Sequence, residues 1–259
     1  MAVMPGVEFG PVVGDGDPRM KRWDVVCLHT IVGNPPAPAA HFSTRADGHI
    51  FQSRDTKFQS AANLDGNHRV IAIENDDLGP EFGMWDTKDG HAVPAFTPQQ
   101  VEAIARICAW AHETHGIPLA ACPDSKPGSR GIGYHRLGIP GNFQTFGFRG
   151  IAPGGEVWTK SFGKVCPGDA RIAQLPQIIK RARVIAGLDP EPDMEDSMQL
   201  IKGDRKPEVY VVNWDQKQAV AVRKLVPNEN DPGYKAAKAV GYTVRTVAQD
   251  VIDAIPDMQ

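Results

Sequence analysis

The chain has 259 residues, enough to bury a sizeable core in one domain or two. A net charge of −3, with 41% hydrophobic and 23% charged residues, describes an ordinary globular protein and argues against a dominant nucleic-acid footprint, which needs a basic face. No apolar run reaches the roughly 18 residues that span a bilayer, and four scattered cysteines make no disulfide framework.

Met1 to Asp17 carries no basic-then-apolar export signal, so the expectation is a protein made in the cytoplasm without a leader of its own. Asp24 to His29 is a short β-branched apolar run, read as a buried strand that ends on His29. After the Pro/Ala loop 35–40, His41 to Gln52 reads as a hairpin turning at Asp47-Gly48. Arg69 to Glu74 is a third strand and delivers Glu74 to its end.

Thr97-Pro98-Gln99-Gln100 is a helix start, with Thr97 as N-cap and Gln100 placed for a capping box. Val101, Ile104, Ile107, Cys108 and Ala111 then fall on one helical face, which makes Cys108 a core residue. A second amphipathic helix is expected from Pro176 to Ala186, stopped by Gly187. Strands interleaved with helices imply an α/β domain with a mixed central sheet flanked by helices over residues 1–187. The acidic, proline-containing stretch 188–206 reads as a linker, and 207–259 as a small α+β module with strands near Val209–Val212 and Ala219–Val226 and a helix start at Asp231-Pro232. The part after Ile185 holds 9 Lys+Arg against 13 Asp+Glu, leaving 19 against 18 before it, so the large domain is nearly neutral.

Catalytic zinc is typically held by three protein ligands with a fourth position left open, and the best candidates are His29, His135 and Cys166. Their spacing is not a local motif. Their contexts, Val26-Cys-Leu-His-Thr30, Gly133-Tyr-His-Arg136 and Gly163-Lys-Val-Cys-Pro-Gly168, resemble the three ligand-bearing segments of the type 2 N-acetylmuramoyl-L-alanine amidases, the family that includes the peptidoglycan recognition proteins. Tyr134 to Pro140 and Trp158 to Asp169 are most similar to amidase-type endolysins from phages of actinobacteria, and the resemblance covers roughly residues 20–187.

The resemblance implies a fold, a metal and a reaction. His29, His135 and Cys166 match the Zn2+ ligands, Glu74 the carboxylate that activates water, and Lys164 the lysine that stabilises the developing oxyanion. Two residues apart on an extended segment, Lys164 and Cys166 share a face. The implied reaction is hydrolysis of the amide between the lactyl group of N-acetylmuramic acid and L-alanine in peptidoglycan. In a phage setting the enzyme is made in the host cytoplasm, does not insert in the membrane, and reaches the wall after a separate holin opens the way. Some relatives carry a catalytic tyrosine immediately before the residue matching His41; here Ala40 stands there, which leaves the base role to Glu74.

Other residues invite weaker readings. His41 is taken as structural or as a support of the site, and His49, His68, His91, His112 and His115 as surface or packing residues. Asn63, Trp85, Arg130 and Trp158 are candidate contacts to glycan or peptide. Two competing functions remain on the sequence alone: a module that binds peptidoglycan without cutting it, and an enzyme of the same fold acting on another amide.

Overall fold

The structure, a computed structural model, describes residues 2–10, 18–31, 35–76, 93–141, 143 and 150–190, together with the backbone of four later strands. The chain divides into two compact units, Met1–Asp189 and Pro190–Gln259.

The first unit is built on a six-stranded mixed sheet of β1 (Glu8–Phe9), β2 (Val25–Thr30), β3 (Phe42–Thr44), β4 (Ile50–Gln52), β5 (Val70–Asn75) and β6 (Gly131–Tyr134), in the order β1-β4-β3-β5-β2-β6. β2 and β5 are adjacent interior strands and run parallel, and β2 is also parallel to β6. Strands buried on both faces read as continuous apolar runs rather than as alternating ones, which is why Val-Val-Cys-Leu and Val-Ile-Ala-Ile lie at the centre. β3 and β4 form the antiparallel hairpin. Its turn uses Gly48 at φ 86, and a side chain there would meet the backbone of Gln99.

The helices α1 (Pro98–His115) and α3 (Leu175–Ile185) pack against one face of the sheet; a short α2 (Asp169–Ala173) precedes α3. α1 starts as expected: Thr97 Oγ1 accepts from Gln100 N, and the Gln100 side chain accepts from Thr97 N. It ends at Gly116 with φ 67. Val26, Leu28, Ile71 and Ile73 join Ile104, Ile107, Cys108, Ile178 and Ala182 in the main core. The period of two then sends Val25, Cys27 and His29, with Val70 and Glu74, to the opposite face, where Cys122, Leu137 and Trp158 form a smaller cluster around Val25, Cys27 and Val70. The main core and the smaller cluster therefore lie on opposite faces of the sheet.

In the second unit a four-stranded sheet has the order β10-β7-β8-β9, from β7 (Met198–Gly203), β8 (Val209–Asn213), β9 (Val220–Leu225) and β10 (Val244–Val247). β7 lies inside the stretch 188–206 that reads as a linker from its prolines and acids. Met-Gln-Leu-Ile-Lys-Gly follows the last of those prolines and pairs antiparallel with β8. The helix start at Asp231-Pro232 lies outside the described residues. No helix among the described residues is long and apolar enough to cross a membrane.

Candidate metal centre

His29 is the next-to-last residue of β2, and the register of the sheet sets it directly beside Glu74 of β5. His135 opens a single 3-10 turn, His135–Gly138, straight after β6, the other neighbour of β2. Cys166 comes from a loop that ends where α2 begins. Three chain segments remote in sequence thus converge at the end of β2. The ligand-capable atoms of His29, His135 and Cys166 lie within 4.8 Å of one another, all three residues are buried, and among the described residues this is the only such cluster of three.

The hydrogen bonds determine which ring nitrogens are available. His135 Nε2 lies 3.1 Å from the carbonyl oxygen of Trp158; a carbonyl only accepts, so Nε2 carries the proton. The buried Nδ1 of His135 is left with a lone pair and no hydrogen-bond partner. His29 repeats the arrangement, with Nε2 donating to Asn63 Oδ1 at 3.2 Å and Nδ1 3.6 Å from Glu74 Oε1. The two rings are 4.2 Å apart between centroids. Burial lowers the pKa of both, to about 3 for His135 with help from the charge of Lys164, and well below the ordinary value for His29, where the neighbouring His135 and then Lys164 add to the effect. Both rings are consequently neutral at physiological pH, the state in which imidazole ligates a metal.

Cys166 Sγ accepts the backbone N–H of Thr30 at 3.3 Å. Burial pushes its thiol up to about 11, opposed by Lys164. Glu74 is pushed up to about 7 by burial, again against Lys164, and its Oε2 has no hydrogen-bond partner. Lys164 is half-buried, and its charge bears on all four groups. Two neutral imidazoles, one with an unpartnered Nδ1 lone pair, and a sulfur, all buried beside a carboxylate, fit a zinc ion in ligand type and number.

Around this cluster the structure reassigns residues. Asn63 and Trp158 are not substrate contacts: each is buried and holds one histidine, Asn63 by its side chain and Trp158 by its backbone oxygen. Arg130 donates to Gly116 O at the end of α1 and pairs with Asp24. His41 is a structural residue, Nδ1 accepting from Ala72 N and Nε2 donating to Phe58 O. His49 is exposed beside Glu8, and His115 is stacked on Trp23. Trp85 and His91 lie outside the described residues. Three supports had no sequence signal: Thr30, whose hydroxyl donates to Pro167 O; Arg171, which donates to that hydroxyl; and the Trp158 carbonyl, which any residue type supplies.

A family model described as N-acetylmuramoyl-L-alanine amidase matches residues 17–169, a span that contains the whole cluster. No curated protein matches the chain. Among solved structures, the endolysin LysCS, an N-acetylmuramoyl-L-alanine amidase from Clostridium intestinale URNW, is similar at 14% identity and a TM-score of 0.41, over 73% of this chain and 100% of that one. The Staphylococcus aureus hydrolase AmiA is similar at 14% identity and a TM-score of 0.45, over 72% of this chain and 87% of that one.

Proposed function

The chain belongs to the N-acetylmuramoyl-L-alanine amidase family, and on that premise we propose that it hydrolyses the amide joining the lactyl group of N-acetylmuramic acid to L-alanine in peptidoglycan, with Zn2+ held by His29, His135 and Cys166. The observation that carries this reading is the convergence of three ligand-capable atoms within 4.8 Å, the two histidines presenting Nδ1 lone pairs, beside Glu74 and Lys164.

Bound zinc supplies Lewis acidity, lowering the pKa of a water molecule from 15.7 toward about 7 and polarising the scissile carbonyl. Glu74 takes the proton of the attacking water on its unpartnered Oε2 and delivers it to the departing amine of alanine. Burial raises the Glu74 carboxyl to about 7 without metal, and a dication beside it would favour the carboxylate form that a base needs. Lys164, whose charge bears on the whole cluster, would stabilise the oxyanion that develops on the carbonyl. Ala40, buried and without a hydroxyl, leaves no tyrosine to share the work.

The endolysin-like segments favour a phage enzyme, made in the host cytoplasm and admitted to the wall by a separate holin. The second unit, Pro190–Gln259, would then serve wall binding, which tethers the active site to its polymer. Sedimentation with purified walls after removal of residues 188–259 tests that role: undiminished binding rejects it.

Mass spectrometry of peptidoglycan digested by wild type and by Cys166→Ala, each with its zinc content measured, tests the activity. New N-terminal L-alanine from wild type alone, with zinc lost in the variant, supports the amidase. Intact lactyl-alanine linkages despite bound zinc would favour a binding module or another amide.

A further inference from the structure

We propose that Asn63 is a positioning residue for the metal centre, its side-chain oxygen fixing the His29 proton on Nε2 so that Nδ1 is presented to the ion. The inference rests on the assignment of His29, His135 and Cys166 as ligands.

The case starts with the amide. Asn63 is fully buried, with Oδ1 3.2 Å from His29 Nε2 and Nδ2 donating to Cys27 Sγ at 3.4 Å. Cys27 lies two residues before His29 on the same face of β2, so one amide reads both side chains. The opposite orientation would set an NH2 group against the imidazole and force its Nε2 to accept. His29 would then carry its proton on Nδ1, the nitrogen that faces Glu74. A buried neutral imidazole has one lone pair, and its partner decides which nitrogen keeps it.

The loop that carries Asn63 is built to hold this orientation. Asn63 N donates to Asn67 Oδ1 at 2.7 Å, and Gly66 N to Asn63 O at 2.7 Å. Leu64, next in the chain, sits at φ 34, a left-handed conformation that non-glycine residues rarely adopt, with 42% of the residue's surface exposed. The loop also docks on the segment bearing the other acceptor. Asp65 N donates to Val157 O at 3.2 Å, and Gly66 lies so close to the Trp158 ring that a Cβ would collide with it. Asn63 Oδ1 and Trp158 O, which fix the two histidines, therefore belong to one docked assembly. Of the two, only the Asn63 oxygen can be removed by substitution.

The test combines zinc affinity with tautomer state. Zinc binding to wild type, Asn63→Ala and Asn63→Asp is measured by competition with a chelator of known affinity, and long-range 1H–15N spectra of the zinc-free proteins report the His29 tautomer. Asn63→Ala is expected to bind zinc about 10- to 100-fold more weakly and to lose the single Nε2–H form. Asn63→Asp, which keeps an oxygen toward His29, is expected to recover both. Equal zinc affinity in wild type and Asn63→Ala overturns the proposal, as does an Nδ1–H tautomer in zinc-free wild type, a result that needs no variant to fold. Folded wild type that binds no zinc while His29 shows Nε2–H rejects the ligand assignment instead, so the two failures are distinguishable.

Discussion

The backbone N–H of Thr30 points at Cys166 Sγ from 3.3 Å, across 136 residues of chain. The same residue donates its hydroxyl to Pro167 O at 3.0 Å and accepts from Arg171 Nη1 at 2.7 Å, so one threonine fastens the cysteine loop to the end of β2. Thr30→Val keeps the N–H and removes the hydroxyl, and with it the buried hydrogen bonds to Pro167 O and from Arg171. It should lower stability by about 1 to 3 kcal/mol while zinc content holds, as read by denaturant unfolding and metal analysis.

Glu74→Gln preserves shape and removes the base. With zinc content unchanged, turnover should fall by about 10² to 10⁴. Loss of zinc together with activity would show instead that Glu74 serves mainly to hold His29, from which it stands 3.6 Å away.

Lys164→Ala removes the cation that bears on every titratable member of the cluster. Its expected defect is about 10² to 10³ in kcat with little change in KM, because a developing oxyanion exists only in the transition state.

Trp158 lies between Gly66 and Gly138, each of which has no room for a Cβ beside the indole. Gly138→Ala should cost about 1 to 3 kcal/mol by overpacking and, by displacing the Trp158 carbonyl from His135, weaken zinc binding. Calorimetry and chelator competition on one sample would reveal both effects.

His41 gives a pH dependence separate from catalysis. Burial lowers its pKa from 6.5 to about 4, against the bond to Phe58 O, and Nδ1 accepts from Ala72 N. As pH falls, the unfolded chain takes up this proton first, so the stability His41 contributes is present above pH 6.5 and drains away down to about pH 4. The full loss is on the order of 3 kcal/mol at about 1.4 kcal/mol per unit. In His41→Gln the slope of unfolding free energy between pH 6.5 and 4 should flatten; an unchanged slope would assign the acid sensitivity to other groups.

Much of this protein is legible in its sequence where a local signal coincides with a global need. The capping box at Thr97, the apolar face from Val101 to Ala111 and the turn at Asp47-Gly48 are each specified by a few adjacent residues, and each forms as read. The period of two along β2 and β5 likewise places His29 and Glu74 on one face. Asn63 and Trp158 read as candidate contacts because a polar or aromatic residue in a loop carries no mark of whether it faces solvent or the interior. Only the fold shows that Asn63 and Trp158 are fully covered and that Arg130 is engaged by the end of α1. The linker reading of 188–206 weighed its prolines and acids and passed over the six residues of β7, which need a partner strand to declare themselves.

The dispersal of the candidate ligands over residues 29, 135 and 166 has a bearing on the order in which the protein is made. A small zinc finger finds two ligands within a few residues and condenses around its metal. Here even the nearest two in sequence are about thirty residues apart, and His29 meets His135 only once β6 has joined β2. A nascent chain leaving the ribosome must therefore complete most of its parallel sheet, the slow part of such topologies, before there is anything for an ion to enter. The sheet has to stand on its apolar packing alone. On the proposed ligand assignment, metal would enter a finished scaffold late, and stripping it with a chelator should abolish turnover while leaving the far-ultraviolet circular dichroism intact.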